Sequence, residues 1–244
     1  MVRLMNTQEE EYVTLFCEGD GHIRVNNSGY SKVTFDNKER DVVEYVASLI
    51  GRRTPRQDKR GYWHLEFNGS CCIPLLEIFS RHVVGKQFLT RLNIVLEFLG
   101  MPLAERHPIT SEGFVAFWDA EGSSDSQPTL FVSQKDREVL DIICGVFGGG
   151  VSRAKAPNGE WKHQWHLSGN KARELYEVIL ERGHNSLRVE RLRENFEGFA
   201  YFEHKEKMKA YNKANNKRLW EERKAIREWI KTHPEEVAKL QESA

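Results

Sequence analysis

The sequence predicts an α+β fold built from two similar halves, and three observations lead there. Short strings recur in the same order in both halves. Glu18-Gly19-Asp20-Gly21, which closes the apolar stretch 12–17, returns as Asp119-Ala120-Glu121-Gly122 behind 114–118. Lys38–Glu44 returns as Lys135–Asp141, Trp63-His64-Leu65 as Trp165-His166-Leu167, and Arg91-Leu92 as Arg191-Leu192. The offsets stay between 97 and 102, the drift that loop insertions cause. The apolar period also switches within the halves between that of a helix and that of a strand. Finally, each copy sets one carboxylate after an apolar helix, which points to a shared site on a pseudo-twofold axis.

The first half reads as helix, two strands, helix, two strands, helix and a last helix. Residues 8–19 form a helix with acids in the first turn and a glycine stop behind it. Residues 22–26 and 32–35 alternate as short strands around Asn-Asn-Ser-Gly, a hairpin signal. Val42, Val43, Val46, Leu49 and Ile50 recur at helical spacing over 39–50, before Gly51. A basic loop or hairpin follows, then a strand over 62–67 and helices over 73–82 and 88–99. Pro102 and Pro108 mark residues 101–111 as the linker.

The second half replays the order. A helix over 112–120 is followed by a strand over 129–133, a helix over 136–147 and the Gly148-Gly149-Gly150 turn. A hairpin around Pro157-Asn158-Gly159 has 161–167 as its second arm, and helices over 171–181 and 187–197 close the copy. The expected division is therefore 1–100 and 112–198 as halves, with 199–244 as a charged helical extension. Within the extension 214–230 is helix-like, and Thr232-His233-Pro234-Glu235 has the form of a cap for a last short helix.

The chain has 244 residues, with a hydrophobic fraction of 39% and a charged fraction of 30%, which fits a soluble globular protein. No apolar run reaches the length of a membrane span, and 1–11 lacks the basic-then-apolar pattern of a signal peptide. Cys17, Cys71, Cys72 and Cys144 show no Cys-x-x-Cys spacing, so the expected compartment is reducing and intracellular. The 36 basic and 36 acidic residues balance, which counts mildly against nucleic-acid binding. Binding needs one basic face rather than a basic average, however, and the charge is unevenly spread. Arg52, Arg53, Arg56, Lys59 and Arg60 cluster around Asp58 alone, and 205–218 holds six Lys or Arg against one Glu.

The two acidic helix ends are the strongest chemical signal. Packed side by side around the axis, each presents free carbonyls and a carboxylate, a setting that favours a cation. Oxygen donors of this kind suit Mg²⁺, which also takes waters and phosphate oxygens. One copy alone would be read as a helix stop with a solvated acid; two copies at matching places favour the metal site.

Residues 12–21 and 114–122 resemble the paired signature helices of the single-chain LAGLIDADG homing endonucleases, and the resemblance runs through nearly all of 12–198. It implies two four-stranded antiparallel sheets backed by helices, forming a DNA-binding saddle with the signature helices between the halves. It implies a monomeric enzyme that makes a Mg²⁺-dependent double-strand break in a long, asymmetric DNA target, with Mn²⁺ or Ca²⁺ as other occupants. By position, Asp20 and Glu121 would be the metal carboxylates, with the chain at Gly19 and Ala120 beside them. Asn37 and Gln134, at the ends of second strands, would order water. Lys86 and Arg188, each 22 residues after a matched histidine, would meet the solvent network at the phosphate. The third motif position, small in the family, is Leu15 in one helix and Ala116 in the other, a large residue facing a small one.

Strand parity supplies candidate base readers. Trp63, Leu65, Trp165 and Leu167 should face the helices. Tyr62, His64 and Glu66, with Gln164, His166 and Ser168, should face away, as should His22, Arg24, Asn26, Lys32 and Thr34. Such a mixture of donors and acceptors suits base edges in a major groove, although a polar outer face is the default for any antiparallel sheet. The resemblance adds Arg153 and Lys155, with Arg56 and Thr54 from the first half.

Other chemistries fall away. His163 and His166 lie on opposite strand faces, Gly148–Gly150 lacks the Lys of a phosphate loop, and no Gly-x-Ser-x-Gly elbow occurs. Residues 205–218 are read as a solvated helix face, with phosphate contact as the sharper alternative. The rival function is a non-cleaving relative: an intron RNA maturase or a DNA-binding regulator.

Overall fold

Two helices buried on every side run through the centre of residues 3–197. In α1 (Thr7–Asp20) the whole stretch Tyr12–Cys17 is buried, and in α5 (Ser111–Glu121) so is Gly113–Ala120. A helix apolar all round belongs inside a protein, and each of these is covered largely by the other. Both starts are capped. Asn6 and Glu9 form a capping box on α1, and the Thr110 hydroxyl accepts the Gly113 N–H on α5 at 3.2 Å. The computed structural model describes residues 3–26, 28–51, 54–125, 129–155, 159–197 and 201–232. They fall into two compact units, Met1–Gly198 and Phe199–Ala244.

After α1 the first half continues with β1 (Gly21–Val25), β2 (Ser31–Asn37), α2 (Arg40–Ile50), β3 (Arg56–Gln57) and β4 (Trp63–Asn68). A 3₁₀ turn leads into α3 (Ile73–His82) and α4 (Lys86–Phe98). After α5 come β5 (Gly122–Ser124), β6 (Thr129–Gln134), α6 (Arg137–Phe147), β7 (Gly150–Lys155), β8 (Trp161–Ser168), α7 (Asn170–Arg182) and α8 (Ser186–Glu197). Each half forms a four-stranded antiparallel sheet, in the order β1-β2-β4-β3 and β5-β6-β8-β7. The register pairs Val33 with Phe67 and Phe35 with Leu65, and in the other sheet Leu130 with Leu167 and Val132 with Trp165. These residues are buried against the helices, so one face of each sheet is left to solvent.

The structure adds β5, a strand the sequence reading lacks: Gly-Ser-Ser has no apolar residue to show alternation. It also lengthens the terminal helix, α9 (Tyr201–Thr232), which forms part of the second unit. Arg52 and Arg53 of the basic stretch, Pro157 and Asn158 of the expected hairpin turn, and His233–Glu235 of the expected cap lie outside the described residues. No helix among the described residues is long and apolar enough to cross a membrane.

Candidate active site

The C-terminal ends of α1 and α5 meet where Gly19 touches Ala120. A Cβ on Gly19 would stand 2.7 Å from the Ala120 Cβ and 3.9 Å from Glu121 Cγ. The missing side chain is what lets the two ends approach, and it brings Asp20 and Glu121 into one site. Higher on the axis, the room for Leu15 comes from Gly113, where a Cβ would stand 3.3 Å from Leu15 Cγ. Leu15 is buried at this contact. A large residue is accommodated by a glycine, and the helix ends below remain in contact.

Burial raises the pKa of Asp20 well above its ordinary value, and the neighbouring Glu121 charge pushes it further. Glu121 is raised as well, chiefly by burial. Arg188 acts on both in the opposite direction. Two carboxyls that burial and mutual repulsion hold toward the neutral form need positive charge to ionise together. Asn37, at the end of β2, donates Nδ2–H to Asp20 Oδ2 at 2.7 Å. Gln134, at the matching end of β6, lines a cavity of about 380 Å³ together with Gly19, Glu121 and Lys162. Its Nε2 is buried without a hydrogen-bond partner. Arg188 turns its guanidinium onto the α5 terminus and donates Nη1–H to Gly122 O at 2.7 Å and Trp118 O at 3.2 Å. Lys86 opens α4 and is exposed. Among the described residues no three His, Cys, Asp or Glu side chains converge as a metal-binding group. Protein donors at this centre are thus two carboxylates and the backbone oxygens beside them.

Two functional positions escaped the sequence reading, although both stand in the repeated strings. Glu18 Oε1 accepts the Gly85 N–H at 2.6 Å, and Oε2 accepts that of Val84 at 3.2 Å. In the other half, Asp119 Oδ2 accepts the His184 N–H at 2.7 Å and Oδ1 that of Asn185 at 3.1 Å. Asp119 Oδ2 also accepts the Tyr12 hydroxyl at 2.7 Å. Burial lifts the Glu18 pKa to about 7 and that of Asp119 to about 6, against the pull of these donors. Each acid satisfies the open N–H groups at the start of the last helix of its half, the helix that carries Lys86 or Arg188. An acid of the opposite half completes each start: Ser186 N–H donates to Asp41 Oδ2 at 2.7 Å, and Gln87 N–H to Asp136 Oδ2 at 3.4 Å. The signal was the recurrence of an acid two residues before each of Asp20 and Glu121.

The chain matches no family model and no curated protein. Solved structures do share its architecture. I-SmaMI bound to an uncleaved DNA target in the presence of calcium ions has a TM-score of 0.51 at 11% identity, over 73% of this chain and 85% of that one. The meganuclease I-SmaMI bound to an uncleaveable DNA with a TTGT central four gives 0.50 at 13%, over 74% and 84%. The I-LtrWI LAGLIDADG homing endonuclease bound to target DNA gives 0.49 at 11%, over 69% and 81%.

The fold is that of the single-chain LAGLIDADG homing endonucleases. Its outer sheet faces carry most of the predicted base readers, with several changes. On the first sheet the register sets His22 against Thr34, Arg24 against Lys32, Thr34 against Glu66, and Arg56 against His64. Several of these groups are engaged in ion pairs on the sheet. Lys32 pairs with Glu66, and the two nitrogens of His64 meet Asp36 and Asp58, with His22 3.5 Å from Asp36. The two carboxylates raise the His64 pKa, while Asp36 is lowered and Asp58 strongly so. Thr34 is buried on this face with its hydroxyl unpartnered. Asn26 spends its side-chain oxygen on the N–H groups of Ser28 and Tyr30 in the hairpin turn. Tyr62 lies just outside β4 with Lys38 5.4 Å over its ring. Thr54, Arg56 and His64 line a second cavity beside Asp58.

On the second sheet, Gln164 pairs with Ser152 and His166 with Gly150 on the outer face. Arg153 and Lys155 do not join them. Arg153 pairs with His163 and Lys155 with Trp161, positions with the parity of buried Trp165, and Arg153 lies 5.1 Å over the Trp161 ring. Lys162 has the outer parity instead, and its charge acts on Glu121. Parity with Gln164 and His166 was the signal that could have found it.

Proposed function

We propose that the chain is a divalent-metal-dependent DNA endonuclease that makes a double-strand break in a long, asymmetric target. The observation that carries this is the meeting of Asp20 and Glu121 at the Gly19–Ala120 contact, with the orphaned Gln134 Nε2 beside Glu121. An all-oxygen donor set of two carboxylates and nearby carbonyls fits Mg²⁺, whose remaining positions go to water and phosphate. Asp20, Glu121 and the backbone at Gly19 and Ala120 would hold such ions. When bound, they supply Lewis-acid stabilisation of the phosphate and a more acidic water.

The chain's own residues set the rest. Asn37 donates to one oxygen of Asp20, and Gln134, which lines the same cavity as Glu121, would order water there. Arg188 favours the ionised carboxylates, and its grip on the α5 terminus positions it there. Lys86 stands exposed at the start of α4, from where its ammonium would meet the solvent network at the phosphate. The outer sheet faces would supply base contacts, and Lys and Arg the salt-dependent phosphate contacts. The unequal pairs Asp20/Glu121, Asn37/Gln134 and Lys86/Arg188 suit a target without twofold symmetry.

The test is cleavage of a randomised duplex library with and without Mg²⁺. Asp20→Asn and Glu121→Gln should each lower cleavage by at least about a hundredfold while DNA binding persists. Full cleavage by both variants would remove the assignment. The non-cleaving reading draws on one observation, the Arg188 guanidinium seated on the α5 carbonyls. DNA binding by the wild-type chain with no cleavage under Mg²⁺ or Mn²⁺ would establish that reading instead.

A further inference from the structure

We propose that α9 is a second contact surface for duplex DNA, separate from the sheets, and that it supplies positive charge which the rest of the chain lacks. DNA as the partner rests on the function proposed above. Over residues 201–232, ten Lys and Arg stand against five Asp and Glu, a formal +5. The whole chain is neutral, so all other residues together carry −5. The part that bears the candidate active site is therefore the acidic part, which is unfavourable for holding a polyanion.

The charge on α9 is ordered. Lys209, Lys213, Trp220, Arg223, Lys224 and Arg227 follow one another at helical steps and share an arc of about 100° at 3.6 residues per turn. Glu221, Glu222 and Glu228 fall outside that arc. Two of these acids pair with basic residues that also lie off the stripe, Glu221 with Lys217 at 3.9 Å and Glu222 with Arg218 at 3.7 Å. Within the stripe Trp220 is 63% exposed, with the Lys224 ammonium 5.5 Å over its ring. Trp220, Arg223, Lys224 and Arg227 also line a shallow cavity along the helix.

The stripe from Lys209 to Arg227 runs about 27 Å at 1.5 Å per residue. Duplex DNA presents one phosphate charge per ~1.7 Å of axis, so a straight row of cations is complementary to it along the whole length.

The test uses the full chain and a labelled random-sequence duplex, with anisotropy followed over a range of KCl concentrations. The variant K209Q/K213Q/R223Q/R227Q keeps good helix formers, and its helicity is checked by circular dichroism. Its log Kd against log salt slope should flatten by about 2–4, and its binding at low salt should weaken at least tenfold, to order of magnitude. The charge-retaining K209R/K213R/R223K/R227K should bind as the wild type does. An unchanged slope in the Gln variant overturns the proposal, as does an equal loss in the charge-retaining one. Preference of the stripe for an RNA hairpin over the duplex also overturns it. Salt-dependent duplex binding through α9 without cleavage by the wild type would leave this proposal standing and remove the function above. Cleaving wild type with an unaffected Gln variant gives the reverse, and a wild type that binds no duplex overturns both.

Discussion

At the scale of single residues, buried polar groups locate the site and also mark the limit of sequence reading. Asp20, Glu121, Asn37 and Gln134 were legible because each recurs at a matched place in both halves. Glu18 and Asp119 recur as well, but their partners are backbone N–H groups 65–67 residues away, which no residue type announces. His184 shows how such packing becomes measurable. Its ring stacks on Tyr45 with centroids 3.3 Å apart, and burial lowers its pKa to about 4. The unfolded chain takes up this proton near pH 6.5 and the folded one only near 4, so stability should fall as pH drops through that window. The loss is on the order of 1–2 kcal/mol once partial exposure is allowed for. His184→Gln should flatten the pH dependence of the urea midpoint between pH 6.5 and 4; an unchanged slope would contradict this. His64 has the opposite sign. Its raised pKa gives stability that is full below the unfolded value and lost as pH rises through the folded one.

At the scale of elements, the α1–α5 pair decides both packing and chemistry. Gly19→Ala places a Cβ 2.7 Å from that of Ala120, with no flexible chain end to give way. Separation of the helix ends should cost about 1–3 kcal/mol in thermal unfolding, and cleavage should fall more than stability does. A variant that unfolds and cleaves like the wild type would show that the contact sets neither. Strand positions were less legible than helices for a physical reason. The outward set was right where one strand was read by itself, as with His64 and Gln164. Arg153 and Lys155, which came from the resemblance rather than from parity, take the other face, because that face depends on the register across the β7–β8 hairpin and one residue of shift reverses every side chain. β5 was missed because three small polar residues take a strand's place only through pairing with β6.

At the scale of the whole molecule, residues 3–197 should unfold as one unit although they are a duplication. The halves share the α1–α5 core, the Tyr12–Asp119 hydrogen bond, and helix starts that each draw one acid from the opposite half. Unfolding one half would leave buried donors and acceptors of the other unpaired, at about 1–3 kcal/mol for each. Near-ultraviolet circular dichroism and tryptophan fluorescence should therefore trace a single coincident transition in urea. Two separated steps would show that the halves are independent.

The crossed helix starts also bear on recombining halves. Asp41 belongs to the first copy but finishes α8 of the second, and Asp136 does the reverse for α4. A chimera that joins one half to a foreign partner inherits a debt at each junction unless the acid and the amide it serves travel together. The unit of exchange in this molecule is therefore a set of matched contacts spanning both copies, and the boundary at the linker is not a clean place to cut.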